Sequence, residues 1–500
     1  MAIPISTSRS HIYQSITTSR AQSDDLQRQL ATGLKSETYG DLGLDRRRVI
    51  EFNGDISQLQ GYVRSIDQAN VRVDILDKTL SQIFESVSTS RTDSLRTNFE
   101  LNTDGQTLFQ SEAHARFQDI ATILNTEAGG RYIYSGAEVT TKPVAPPNDI
   151  LDGVGAQAGF KQVAAERQLA DLGSDLKGRV TLSQPSATEV RITEDGTHAF
   201  GFKLTGVNST VTGLTAPALP TGAPPQLDFA VTANTAQDGE TVNIALTLPD
   251  GTTTDLKLTA RTGTPEHPGE FQIGATATDT ATNINAAIDA ELLRLGETEL
   301  RAASQFEASD NFFNFDESNP PQRVAGPPYD SATALVDATE ANTVFWYQGE
   351  LSSSDPRSSQ TVKVDDYISV DYGVRANEEA FRNALQTLAV ASLDTYTLGD
   401  QNGQDRYNAV RSRVTENLST SSGNQGVESI IADIAGADSV IGRTKERHVT
   451  HSNLLQTMVD DVQNADIYEV SSKLLDLQTR LQATYQTIGT LQGISLVNFI

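Results

Sequence analysis

Proline is missing from both ends of this 500-residue chain and crowded into its middle. Of 17 prolines, Pro4 stands alone and the other 16 fall between Pro143 and Pro356, so residues 5–142 and 357–500 have none. A proline inside a helix removes a backbone donor and clashes with the preceding turn, so proline-free stretches are where long helices can form. Leu59, Ile66, Val73, Leu80 and Val87 repeat at seven residues, with Ile56, Val63 and Phe84 three or four residues away. That is the spacing of a helix packed lengthwise on another. Asn70 and Asp77 fall on the companion positions of this seam, where polar side chains set register at a cost in stability. Toward the other end, Ile430, Ile434, Ala437, Ile441, Thr444 and His448 alternate spacings of three and four, and so do Val470, Leu474, Leu477, Leu481, Thr484, Ile488 and Leu491. In the first segment Ile5, Ile12 and Leu26 keep the seven-residue spacing with Ser19 in the gap, Ile16 and Leu30 widen the stripe, and Gly33 is placed to stop the helix.

The middle has a different texture. Prolines come in pairs (146–147, 224–225, 320–321, 327–328), and Thr, Gly and Asp rise. Val242, Ile244, Leu246 and Leu248 alternate, the turn Pro249-Asp250-Gly251 follows, and Leu256, Leu258 and Ala260 alternate again, which predicts a hairpin. A short helix is expected after it, with Asp279 as N-cap and Ile284, Ile288, Leu292 and Leu295 inward. Residues 343–347 and 361–372 read as further strands. The fold class expected is therefore α+β and multidomain: long N- and C-terminal helices paired as a coiled-coil rod, with a β-rich insert between them. The divisions fall at 1–32 (terminal helix), 33–145 (first half of the rod), 146–375 (the insert, in one or two lobes), 376–465 (second half of the rod) and 466–500 (terminal helix).

Composition narrows the function. The 65 acidic residues outnumber 38 basic ones for a net charge of -27, which argues against nucleic acid, whose phosphates need concentrated Lys and Arg. There is no cysteine, so disulfides, thiolate metal sites and cysteine nucleophiles are excluded. No run approaches the ~20 apolar residues of a membrane helix, so membrane insertion is not expected. The first residues show no basic stretch leading into an apolar one, so no cleaved secretory signal is expected.

Catalysis finds little support. None of His11, His114, His198, His267, His448 and His451 sits in HExxH, and no serine lies in GxSxG. His448 and His451 could form a metal pair, but the alternation makes His448 a packed seam residue. The pairs Asp24-Asp25, Asp365-Asp366 and Asp460-Asp461 point to different faces and read as solvated. GDLGLD at 40–45 lacks the lysine of a phosphate loop, and Arg46-Arg47-Arg48 reads as a helix start making surface ion pairs. The expectation is a non-enzyme with no catalytic, cofactor or metal site.

Four stretches carry a resemblance: MAIPISTSRSHIYQSI at the start, QRQLATGLKSETYGDLGLDRR at 27–47, GGRYIYSGAEVTTKP at 129–143, and DIYEVSSKLLDLQTRLQATYQTIGTLQGISLVNFI at 466–500. They resemble the flagellin superfamily, and more closely its hook-associated member at the hook–filament junction. WYQGE at 346–350 and VDYGVRANEEAFRNAL at 370–385 resemble the alphaproteobacterial type. The resemblance covers roughly the first 145 and last 155 residues. It implies a structural subunit that leaves the cell by the flagellar type III export apparatus, with an export chaperone and no cleaved signal. It also implies an extracellular homo-oligomeric ring between another hook-associated protein and flagellin. The two terminal helices would then be polymerisation helices, carried by Ile5, Ile12, Ile16, Leu26, Leu30, Leu474, Leu477, Leu481, Ile488, Leu491, Leu496 and Phe499. The seam of Leu59, Ile66, Val73, Leu80, Val87, Ile434 and Ile441 would close within one subunit. The alternatives are flagellin itself, the filament subunit, or a secreted adhesin whose β-rich insert binds.

Overall fold

Apolar spacing becomes long helices within both proline-free ends of the computed structural model, which describes residues 5–96, 98–419 and 425–497, with side chains described between 11 and 490. Helix α1 (Ile5–Thr32) is followed by a 3-10 turn (Tyr39–Asp45) and by α2 (Arg46–Arg96). At the other end come α8 (Glu379–Ala391), α9 (Gln401–Asn417), α10 (Val427–Gln463) and α11 (Ile467–Val497). Between them lie α3 (Leu108–Ile123), α4 (Pro147–Asp152), α5 (Phe160–Leu172), α6 (Ala277–Leu295) and α7 (Arg301–Phe313), together with twelve short strands among the described residues. The chain is α+β with long terminal helices. It divides into two units, one of Met1–Asn70, Val362–Val370 and Ser439–Ile500, the other of Val71–Thr361 and Asp371–Asp438; α2 and α10 each contribute to both.

In the first unit, which we call the helical unit, α1 packs against α11. Gly33 leaves α1 at φ 72°, in the left-handed region where glycine carries no Cβ penalty. The chain beyond it makes an antiparallel bridge from Leu34 to Asn464, with Lys35 N–H donating to Gln463 O (2.8 Å) and Ala465 N–H to Gly33 O (2.8 Å). Both helices leave this bridge in the same direction, so they run antiparallel. Val49 and Ile56 of α2 close a second core with Leu455 and Val459 of α10.

The seam of α2 is buried at Ile66, Val73 and Leu80, and half-buried at Leu59 and Val87. Its companions, however, are Ala69, Leu76, Ile83 and Ser90, not Asn70 and Asp77: Asp77 is exposed and Asn70 only partly buried. Steps of three and of four both return to the same helix face, and here the packed neighbours bury the residue three after each seam position. Leu76→Ala should therefore cost about 2–5 kcal/mol, whereas Asp77→Ala should stay within about 0.5 kcal/mol. Urea midpoints of the two variants would check this, and equal losses would restore the other register. In α10, Ile430, Ile434, Ala437, Ile441, Thr444 and His448 are all buried. Gly436 and Gly442 lie inside this helix without breaking it, the buried residues around them outweighing the propensity cost.

In the second, larger unit, β1 (Val180–Ser183), β2 (Glu189–Glu194), β5 (Gln226–Val231) and β4 (Leu214–Thr215) form one antiparallel sheet in the order β1-β2-β5-β4. β3 (Lys203–Ser209), β6 (Thr241–Thr247), β7 (Thr253–Arg261) and β8 (Glu270–Gln272) form the other, with β8 parallel to β7. The β6–β7 pair is the hairpin expected from the alternation, with Ile244 opposite Leu256. Inward residues of both sheets join Ile284, Ile288, Leu292 and Leu295 of α6 in one core. The cap of α6 is Thr276, with Asp279 as its N3 partner: Thr276 Oγ1 accepts from Asp279 N–H, and the Asp279 carboxylate accepts from Thr276 N–H. Residues 343–347 are not a strand. They make only isolated bridges, Ala158 with Thr343 and Val144 with Tyr347. The helices α5 and α7, joined to the core through buried faces, were not expected from the sequence.

Candidate functional site

Two places gather the residues singled out in the sequence. The first is the terminal helix pair. Ile16 is buried, Ile12 and Leu26 are half-buried and Leu30 is exposed on α1, while Leu474, Leu477, Leu481 and Ile488 are half-buried on α11. Ile5, Leu491 and Leu496 lie in the helices but outside the described side chains, and Phe499 lies outside the described residues. Arg20 Nε donates to Tyr485 Oη (2.8 Å) across the pair, with the guanidinium 5.7 Å from the ring centroid. The stripe thus keeps part of its apolar surface open to solvent. Tyr13, Ile467, Tyr468 and Leu475 add exposed apolar surface, Leu475 at 65%.

The second place is a knot in the larger unit, built from the three inner motif stretches. Tyr134 is fully buried; its hydroxyl shares a hydrogen bond with Thr79 Oγ1 (2.6 Å), and its ring meets Phe381 edge-on at 5.8 Å. Ala376 N–H donates to Tyr134 O (2.8 Å), and Glu350 N–H donates to Ser135 O (3.0 Å). Ala137 N–H donates to the Glu350 carboxylate (2.8 Å). Gly136 sits at φ 70°, and a Cβ there would fall 2.5 Å from Glu350 Oε2, so only glycine fits this approach. Arg375, 3% exposed, donates to the carbonyls of Ser352 and Ser354 and pairs with Glu350 at 3.7 Å. Glu378 accepts from Arg375 N–H (2.9 Å) and pairs with Arg357. Most polar groups of the knot have internal partners, though Arg375 Nε has none. The knot holds three distant segments together and offers no free nucleophile.

Burial lifts the Glu378 carboxyl above its usual range, more than Arg357 and the Arg375 amide lower it. A raised carboxyl in the folded state supplies stability that is full below the ordinary value near 4.5 and is lost as pH rises through the raised one. Glu378→Gln should therefore gain stability relative to the parent chain between pH 4 and pH 7, read as urea midpoints at both. A constant offset would refute the assignment.

No family model matches the sequence, and no curated protein matches it. The remaining candidate chemistry is accounted for by packing. His448 is buried on α10; its ring stacks on Tyr62 at 5.6 Å, and Nε2–H donates to Val364 O (2.7 Å). His451 is exposed. Among the described residues no three His, Asp or Glu side chains are grouped to hold a metal ion, and no helix is long and apolar enough to cross a membrane. Arg47 pairs with Glu51 (2.8 Å) and Arg48 with Asp45 (3.6 Å) at the start of α2. Asp365 pairs with Arg447 (2.5 Å), and Asp366 accepts from Tyr62 Oη (2.6 Å) and Gln58 Nε2 (3.0 Å).

Sequence reading missed how unevenly charge is placed, because the units are discontinuous along the chain. The helical unit holds 14 basic and 16 acidic residues, a net of -2; the larger unit holds 24 and 49, a net of -25.

Proposed function

We propose that this chain is a non-enzymatic structural subunit of the bacterial flagellum, joining hook to filament as a ring of copies. The observation that carries this is the antiparallel pair of α1 and α11, whose apolar stripe stays partly exposed and is flanked by exposed Tyr13, Ile467, Tyr468 and Leu475. Apolar surface left in solvent is favourable to bury further, at about 25 cal/mol per Å², and neighbouring copies are the natural source of cover. The net charge of -2 in the unit that carries the pair permits copies to approach, while the -25 of the larger unit keeps that part soluble and apart. On this reading the terminal helices form a coiled-coil tube in the assembly. The chain leaves the cell through the flagellar export apparatus with a chaperone, uncleaved, and meets another hook-associated protein on one side and flagellin on the other.

Cells lacking the chain should build hooks without filaments, seen by electron microscopy. Full filaments on such cells would sink the proposal. Leu477→Asp with Leu481→Asp should leave the protein exported but fail to restore motility, since a carboxylate on the stripe blocks its burial. Long filaments grown from the purified chain alone would instead favour flagellin.

A further inference from the structure

In the helical unit α2 and α10 present two different flanks. Each residue turns a helix by about 100°. On α2, Gln58 and Tyr62 therefore lie about 100° to one side of the buried line through Ile56, Leu59 and Ile66, and Gln60 and Arg64 lie about 100° to the other. On α10, Arg447 and Val449 flank His448 in the same opposed way.

The first flank carries a strap, the turn between β11 (Thr361–Lys363) and β12 (Ser369–Asp371). Its backbone and acidic side chains are tied to both helices: Val364 O by His448 Nε2–H, Asp365 by Arg447, and Asp366 by Tyr62 and Gln58. Val364 is completely buried. Tied this way, the tip holds Tyr367 out in solvent at 99% exposure, with Ile368 partly exposed beside it. An aromatic ring on a fixed tip loses little freedom on binding, which favours it as an interface anchor.

The second flank carries a groove of about 300 Å³ between the helices, with Val63 and Val449 as its apolar floor and Gln60, Arg64, Ser452 and Asn453 around it. Val449 is 42% exposed. Among the described residues Arg64 has no carboxylate within ion-pair distance, and Asp366, next to Tyr367, has no cation.

We propose that Tyr367 of one copy seats in the Val63–Val449 groove of a second copy, bringing Asp366 toward Arg64. The occupant is a copy of this chain on two grounds. Knob and groove are each apolar with opposite charges beside them, Asp366 and Arg64, on opposite flanks of the same helix pair, and this unit is nearly neutral where the other is strongly acidic. A contact between unlike flanks is heterologous, so each pair leaves one knob and one groove free. The contact therefore propagates into a ring or an open helix of copies. This deepens the assembly reading and rests on it.

The chain has no cysteine, so one substitution places a single thiol. Full-length Tyr367→Cys and Val449→Cys, mixed in equal amounts under mild oxidation, should give a covalent dimer. Each variant alone should give none, and the double variant Tyr367→Cys/Val449→Cys should give a ladder. A disulfide needs Cβ atoms within about 4.5 Å, so the bond reports this contact and not mere proximity. Leu44→Cys, 98% exposed on the 3-10 turn, mixed with Val449→Cys sets the background. A Tyr367→Cys and Val449→Cys mixture that does not exceed that background several-fold, or either variant cross-linking to itself as strongly, overturns the proposal. If the cross-link is absent while cells lacking the chain still make hooks without filaments, the contact is wrong and the assembly reading survives. Full filaments on those cells sink the reading whatever the cross-link shows.

Discussion

Arg375→Ala should destabilise the larger unit by about 3–5 kcal/mol. The guanidinium is buried and serves the carbonyls of Ser352 and Ser354 as well as the Glu350 carboxylate. Its removal takes a buried charge and its donors away from both serine carbonyls and from Glu350, which costs more than the net value of the bonds themselves. Glu350 in turn holds the Ala137 amide, so the turn at Gly136 should loosen with it. Arg375→Lys should recover only part of the loss, because an ammonium cannot reproduce the planar fork. Trp346 reports the unfolding: it is the chain's single tryptophan, fully buried, with Nε1–H donating to Phe313 O (2.9 Å). A loss below about 1 kcal/mol would show that the knot is surface decoration.

Ile66→Asp should be as damaging in the helical unit, with a loss of at least about 4 kcal/mol. Ile66 has no exposed surface, so the substitution both removes packed methyl groups and buries a carboxylate. Val71→Asp, at a position 58% exposed on the same helix, is the control and should change stability by no more than about 0.5 kcal/mol. Helical circular dichroism during urea unfolding compares the two, and equal midpoints would mean that this stretch of α2 is not packed lengthwise.

Both expectations trace to different kinds of information. Ile66 was legible in the sequence because a heptad repeats one physical fact many times, the burial of the same helix face. The hairpin at 241–261 was legible for a similar reason, with period-two alternation on both sides of Pro-Asp-Gly. The helix stop at Gly33 and the start at Arg46 came from end chemistry. The companion seam was misplaced because a step of four and a step of three both return to the same face, and only the packed neighbours select between them. Helices α5 and α7 escaped because their buried faces include Arg167, Asp171, Gln305 and Ser309, which erase the apolar stripe that marks a helix.

The candidate sites divide the same way. The half-buried stripe of the terminal pair follows from spacing alone, whereas its antiparallel pairing came from hydrogen bonds between Gly33–Lys35 and Gln463–Ala465. The strap of 362–370 read as plain strand, because nothing local says that its turn will be tied to Tyr62 and His448. Arg375, Glu350 and Tyr134 belong to separate sequence motifs, and no local spacing signals that they meet.

By itself, then, the order of residues determined where helices could run, which faces they would bury, and that the middle would be β-rich, since these depend on local periodicity and on proline. Tertiary structure alone decided which segments meet: the three-way knot around Arg375, the exposed Tyr367 opposite the Val449 groove, and the split of charge into units of -2 and -25. Contacts across hundreds of residues leave no periodic trace, because they depend on where the backbone returns and not on how often a residue type repeats.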